Sequence, residues 1–377
     1  MRPDALEAMV GVLSDSYANP SGSHRAARAA RQSIDEARDL VAEALGARPR
    51  EVVFTSGGTE ADNLAVFGVH ARRPGVVLCS AVEHPAVAEP VEALGGRTVP
   101  VDDRGVVDLA ALDALLDECA AAGDDVSLVS VMGANNEVGT IQPLDQIAAV
   151  VRDRVPGAHL HTDAVQGVVW LDMAERASAF DLLSISAHKF GGPKGVGALV
   201  VREGVEIAPW LRGGGQERER RSGTQNVAGI VGMAVALAGT VDERKATVDR
   251  VAAQRDRLAD GLVARVPGLL ETGVRSSGGS PPDRSHKVAG ACHVCIEGIE
   301  SESLLFLLEQ AGIYASAASA CASGAMEPSA VLAAMGVSRA AARGSLRLSL
   351  GAATTDADID RALDAVPAAV EHLRSAS

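Results

Sequence analysis

A lysine and a cysteine hold most of the chemical potential of this sequence. Lys189 follows the apolar run "DLLSISA" and precedes the turn "GGPKG". An ε-amine in a partly desolvated site has a lowered pKa and can condense with an aldehyde. Lys194 is the rival amine, but inside a Gly-Pro turn it is expected to face water. Cys321 lies in "SAASACASGAMEPS", a small, polar stretch weak in both helical and strand periodicity. Such a stretch reads as a mobile loop, which can carry a thiolate nucleophile towards a bound substrate.

Three further groups suit one cofactor. In "SGGTE" (Ser56 to Glu60), Gly57, Gly58, the Thr59 hydroxyl and the free amides of a helix N-terminus can hold a phosphate. A strand–helix turn with Thr59 as N-cap explains the same residues. In "HTDAVQ", Asp163 can keep a pyridine nitrogen protonated, which makes the ring an electron sink, and Gln166 can hydrogen-bond a ring substituent. An ordinary strand-end aspartate fits there too. Ser186 and His188 add possible phosphate contacts, while His84 in "VEHPAV" either stacks on a ring and exchanges protons or caps the next helix. Phosphate cradle, acid for a pyridine nitrogen and aldehyde-binding lysine together specify pyridoxal 5′-phosphate (PLP). Cys292 and Cys295 form a lone CxxC along a strand pattern; they read as structural, and no metal is expected.

These residues need a scaffold that gathers them. "EVVFTS", "GVVLCS", "RTVPV", "VSLVSVM", "AHLHTDA", "DLLSISA" and "GALVV" are strand-like runs interleaved with helical patterns. The fold class is therefore α/β, a mostly parallel sheet covered on both faces, with the last pair possibly antiparallel around "GGPKG". Ligands in such sheets sit at the carboxyl ends of strands, and five strand ends in this chain carry polar or glycine-rich stretches. From about Thr240 a charged amphipathic stretch reads as a linking helix, followed by an α+β pattern. The expected division is a large PLP-binding domain over 12–245 and a smaller α+β domain over 246–377. The smaller domain has residues 1–11 packed on it and carries the cysteine loop 314–328.

Composition narrows the partners. The 377 residues are 47% apolar and 2% aromatic, with net charge −14 spread along the chain. That balance argues against nucleic acid or an anionic membrane as direct partners. No apolar run approaches the roughly 18–20 residues that span a bilayer. "MRPDALEAMV" lacks the pattern of a secretory signal, and five scattered cysteines suit a reduced compartment, so a cytoplasmic location is expected.

With these motifs in view, the sequence resembles the NifS/IscS-type, group I cysteine desulfurases, PLP enzymes of fold type I in the class V aminotransferase superfamily. The likeness runs through "NPSGSH", "VVFTSGGTEADNLA", "NNEVGTIQP", "HTDAVQ", "SISAHKFGGPKGVGAL", "GGGQERERRSGTQNV", "SACASGAMEPS" and "SLRLSLG". The resemblance implies that Lys189 binds the PLP aldehyde and Asp163 pairs with the ring nitrogen. It places Gln166 and Asn136 near the ring oxygen, the latter also beside the substrate, and His84 on the ring. Gly58, Thr59, Ser186 and His188 then hold the phosphate, with Thr224 reaching it from the other subunit of a homodimer. Arg347 grips the substrate carboxylate, and Cys321 takes the sulfur of L-cysteine as a persulfide, releasing L-alanine. An acceptor protein would follow, in iron–sulfur cluster assembly or in thio-cofactor, tRNA or DNA sulfur metabolism. A selenocysteine lyase, another C–S lyase and a non-catalytic partner protein are the alternatives. Departures from the family pattern are a start just after the segment resembling "YLDxxATTP", Ala317 and Ala318 before "SAC", and a short tail. They imply a mis-assigned start or a less enclosed site, a stiffer loop, and no docking to a scaffold through a long tail.

Overall fold

The computed structural model describes residues 1–15, 17–275, 282–317 and 329–375. They form two compact units: Met1–Val99, Leu109–Gly133 and Pro143–Arg244 in the first, Pro100–Asp108, Ala134–Gln142 and Lys245–Ser377 in the second. The first unit opens with helices α1 (Pro3–Asp15) and α2 (Arg25–Ala44). Then come β1 (Val52–Thr55), α3 (Gly58–Arg72), β2 (Val76–Ser80), α4 (Pro85–Ala93) and β3 (Arg97–Val99). After α5 (Leu109–Ala122) follow β4 (Val126–Ser130), α6 (Leu144–Arg154), β5 (His159–Asp163), β6 (Leu182–Ser186) and β7 (Gly197–Val201).

The seven strands form one sheet in the order β1-β7-β6-β5-β4-β2-β3. Neighbouring pairs from β3 to β6 run parallel, while β7 is antiparallel to both β6 and β1. The turn "GGPKG" is thus a hairpin inside an otherwise parallel sheet. β1, β4, β6 and β7 are buried at every position, which is why they read as continuous apolar runs without alternation. Helix α3 closes one face, setting Ala61, Leu64, Ala65 and Val69 against Val53, Val77, Leu128, Leu182 and Leu199. Among the described residues no helix is long and apolar enough to cross a membrane.

The first eleven residues belong to the first unit, not to the smaller one as the sequence reading had it. Arg2 N–H donates to Gly191 O at 2.7 Å, and its guanidinium donates to Glu243 at 2.9 Å. A Cβ on Gly232 would lie 2.5 Å from Met9 Cγ, so a glycine is needed for α1 to lie this close. Two short excursions, 100–108 and 134–142, belong to the second unit although they interrupt the first in sequence.

A charged pair sits inside the first unit. Arg38 on α2 donates two parallel hydrogen bonds to Glu217, both 2.9 Å, with side chains only 6% and 2% exposed. Arg38 also donates to Val52 O at 2.7 Å and lies 4.5 Å above the Phe54 ring, while Phe54 N–H donates to Glu217. This anchor holds three consecutive non-glycine residues, Glu217, Arg218 and Glu219, at φ of 49°, 56° and 65°, in the strained left-handed region. Arg38→Ala strands a buried carboxylate and is expected to cost about 3–5 kcal/mol in urea unfolding. A loss below about 1 kcal/mol would mean that Glu217 is paired or hydrated some other way.

The second unit has a three-stranded antiparallel sheet, order β10-β9-β8, from β8 (Leu269–Glu271), β9 (Ala291–Ile296) and β10 (Ser345–Ser349). Helices Ser301–Gln310 and Asp356–Ser375 accompany it, giving the α+β pattern. Lys287 is fully buried and donates to Glu271 Oε1 at 3.2 Å and Thr272 O at 2.8 Å. Cys292 and Cys295 are free and buried on β9, and burial pushes both thiols up to about 12. Thiols so hard to ionise are packing residues.

Candidate active site

In the first unit, chemistry gathers where adjacent strands end. After β1 the chain enters α3 through Gly57 and Gly58. A Cβ on Gly58 would lie 2.8 Å from Val165 Cγ2 and 3.4 Å from Ser186 Cβ, so only glycine brings this helix N-terminus against the β5 and β6 ends. The first turn of a helix leaves its amides without internal acceptors. Thr59 is exposed beside them. Ser186 Oγ and His188 Nδ1 are 2.9 Å apart. Glu60, in the first turn of α3, is engaged by other donors: it accepts from Ser56 N–H at 2.7 Å and from Arg221 Nε at 2.7 Å. Burial works to raise its pKa, but these donors outweigh it and hold the carboxyl below its usual range.

Asp163 ends β5 and is 4% exposed, with Oδ1 accepting from Val165 N–H at 2.8 Å. Burial pushes it up to about 6, against the backbone donor and the charge of Lys189. Lys189 lies in the one-turn 3₁₀ helix Ala187–Phe190 that follows β6; it is exposed, while Ala187 and Phe190 are buried. Lys194 is exposed in the hairpin turn. His84 caps α4, its Nδ1 accepting from Ala86 N–H at 3.1 Å, which leaves the proton on Nε2. Desolvation and the Lys189 charge hold this imidazole below its ordinary pKa, hence neutral near pH 7. Gln166 is half-buried after β5, and Thr224 is exposed.

The second unit holds the other two described candidates. Arg347 on β10 donates from Nη1 to Asn136 O at 2.9 Å. Its Nε is buried and has no hydrogen-bond partner among the described residues. Neighbouring Glu137 is raised by burial, against the hydroxyl of Ser329 and the charge of Arg347. Cys321 lies outside the described residues.

Sequence reading missed several buried polar groups. Asp62, Glu83 and His161 sit below Asp163, and Glu217 anchors the loop that leads to Thr224. Asp62 lies in "EADNLA" and His161 in "HLHTD", where each passes for a solvent-facing residue.

Comparison with known proteins bears on this arrangement. Residues 1–362 match the family described as aminotransferase class-V. An "IscS-like cysteine desulfurase" of Mycobacterium tuberculosis is 44% identical over 389 residues, covering 100% of this chain and 95% of its own. "Cysteine desulfurase IscS" of Methanosarcina thermophila is 41% identical over 100% and 91%. A solved "NifS-like protein" superposes with TM-score 0.88 at 35% identity, over 99% of this chain and 96% of that one. This chain belongs to the class V aminotransferase family, among its IscS/NifS-like members. In this class V protein the sheet order, with its one reversed strand, is the fold type I arrangement shared with the solved NifS-like proteins. Its strand ends offer an anion cradle, a buried carboxylate for a cationic nitrogen and an exposed amine, all within the first unit.

Proposed function

We propose that this protein is a PLP-dependent cysteine desulfurase, converting L-cysteine to L-alanine and moving the sulfur to Cys321 and then to an acceptor protein. One observation carries the reading: the α3 N-terminus, Asp163, Lys189 and His84 converge at strand ends within a single unit. Full-length likeness to proteins named cysteine desulfurase supports it. The donor set fits the cofactor. The amides of Gly58 and Thr59, with the Thr59 hydroxyl, Ser186 and His188, would hold its phosphate. Asp163, buried at the end of β5, suits a protonated ring nitrogen, with Gln166 placed for a ring substituent and His84 for stacking on the ring. Once bound, PLP supplies an electron sink that eases loss of the substrate's α-proton.

The remaining work falls to the chain's own residues. Lys189 would be the residue that holds the cofactor's aldehyde end, and its amine would move the proton at the substrate's Cα. Arg347 keeps Nε free for the substrate carboxylate, a task for which its planar fork suits it better than lysine. Asn136 fixes that guanidinium through its carbonyl. The Cys321 thiolate attacks the substrate sulfur; an S–S bond forms as the C–S bond breaks, and its electron pair passes to the carbon skeleton. Two copies would act together, the exposed Thr224 of each completing the other's phosphate site. The test is product release from L-cysteine by purified protein supplied with PLP and a thiol reductant. Equal amounts of alanine and sulfide are expected. Pyruvate and ammonia in place of alanine, or PLP binding with neither product, would overturn the reading.

A further inference from the structure

Below Asp163 lies a group of buried ionisable side chains that the reaction above does not use. Asp62 on α3, His161 on β5 and Glu83 after β2 are 1%, 0% and 7% exposed. His161 and Asp163, two residues apart on β5, share a face of the sheet. The ladder sets Ser184 of β6 opposite Asp163 and Ser130 of β4 opposite His161. His161 Nδ1 is 2.8 Å from Ser130 Oγ, and Nε2 is 3.0 Å from Ser184 Oγ. The Ser184 hydroxyl also acts on the Asp62 carboxyl, lowering its pKa against the effect of burial. Asp62 Oδ1, 3.6 Å from His161 Nε2, has no hydrogen-bond partner among the described residues. Ser184, His161 and Ser130 thus form one hydrogen-bonded chain, and the Asp62 carboxyl stands beside its Ser184–His161 end.

Such a chain has two polarities. With Asp62 ionised, Ser184 donates to it, His161 donates from Nε2 to Ser184, and Ser130 donates to Nδ1. With Asp62 protonated every bond reverses, and His161 becomes the Nδ1–H tautomer. The surroundings decide between them. Burial alone drives His161 down to about 3, so the ring is neutral and gives Asp62 no counter-charge. Glu83 acts on Asp62 by charge and is itself pushed up to about 8 by burial; its Oε1 accepts from Ser80 at 2.6 Å and Met132 N–H at 2.7 Å, and its Oε2 has no hydrogen-bond partner among the described residues. Three carboxylates crowded out of water cannot all ionise. Asp163 has the backbone donor of Val165 and the nearby charge of Lys189; Asp62 has one hydroxyl and an orphan oxygen. The negative charge belongs on Asp163, the proton on Asp62.

We propose that Asp62 is a positioning residue, held protonated at the head of the Ser184–His161–Ser130 chain, so that Asp163 alone presents negative charge to the cofactor's ring nitrogen. This rests on the role given to Asp163 above. Burial and the Asp163 charge both raise the Asp62 pKa, in the same direction.

Two measurements on cofactor-free protein test it. The infrared spectrum in heavy water near pH 7 should contain protonated-carboxyl C=O absorption from Asp62 beside that of Glu83, which burial pushes up to about 8; the Asp62 component should survive Glu83→Gln and be removed by Asp62→Asn. In unmodified protein with ¹⁵N-histidine, His161, assigned through its backbone, should be the Nδ1–H tautomer throughout pH 5–8; this needs no variant. With PLP bound, Asp62→Asn should leave the pH midpoint of the cofactor's absorbance in place, because asparagine imitates the neutral acid. An ionised Asp62 would instead make that midpoint move by about one unit or more. An Nε2–H tautomer, a missing Asp62 component or a moved midpoint overturns the proposal while leaving the desulfurase reading intact. Failure to bind PLP with that component present would do the opposite.

Discussion

Lys189→Ala should lower alanine release from L-cysteine by about 10³-fold or more, the range associated with losing a general acid–base residue, here one that also binds the aldehyde. The absorbance change that marks a covalent link between PLP and an amine should vanish too. PLP itself should still bind, more weakly, because the α3 cradle, Ser186, His188 and Asp163 are untouched. The control is Lys194→Ala. Lys194 is exposed in the hairpin turn, and its loss should change activity by no more than a few-fold. If Lys194→Ala proved the inactive variant and Lys189→Ala kept more than a tenth of the rate, the amine assignment would be reversed. The structure favours Lys189 through charge: its ammonium acts on Asp163, His84 and His188, which all lie around the strand ends.

The second large effect is expected at Cys321. Its alanine variant should bind PLP as the unmodified protein does, yet release sulfide and alanine at least about 10²-fold more slowly, since the other four cysteines, Cys79, Cys119, Cys292 and Cys295, are all buried away from solvent. Buried Cys79, Cys292 and Cys295 cannot take over, because burial raises all three thiols far above neutral pH. Mass spectrometry after a brief cysteine pulse without reductant should find one added sulfur on the peptide holding Cys321, and none in the variant. Undiminished sulfide release by Cys321→Ala would mean an enzyme that expels sulfide directly.

Much of the fold was legible in the sequence because the candidate groups lie next to residues that mark where strands end. Gly57 and Gly58 before a helix, Asp163 at the end of an apolar run and Lys189 before a glycine hairpin each punctuate a strand. The order β1-β7-β6-β5-β4-β2-β3 follows from right-handed parallel crossovers plus one hairpin. The charge-setting groups were hidden for an equally physical reason. Helix α3 is buried on most of its circumference, so no polar face exists to make Asp62 stand out. His161 occupies the sheet face of a strand where polar partners come from other strands, and no local pattern announces Ser130 or Ser184. The excursions 100–108 and 134–142 pair through isolated bridges, Val101 with Val107 and Ala134 with Ile141, too short to show alternation. Residues 1–11 were misplaced because what holds them, Gly191, Gly232 and Glu243, lies far along the chain.

The place of β1 at the edge of the sheet has a consequence for how the protein is made. Its backbone partner is β7, with Val52 facing Val200 and Thr55 facing Gly197. A ribosome has therefore long since released the phosphate cradle before the strand that seats it emerges, a wait on the order of ten seconds at ordinary elongation rates. Until then β1 and the glycines behind it have no sheet to join. The α3 N-terminus thus gains its seat in the sheet only after nearly the whole first unit has been synthesised, and this end of the fold is completed late in the life of the nascent chain.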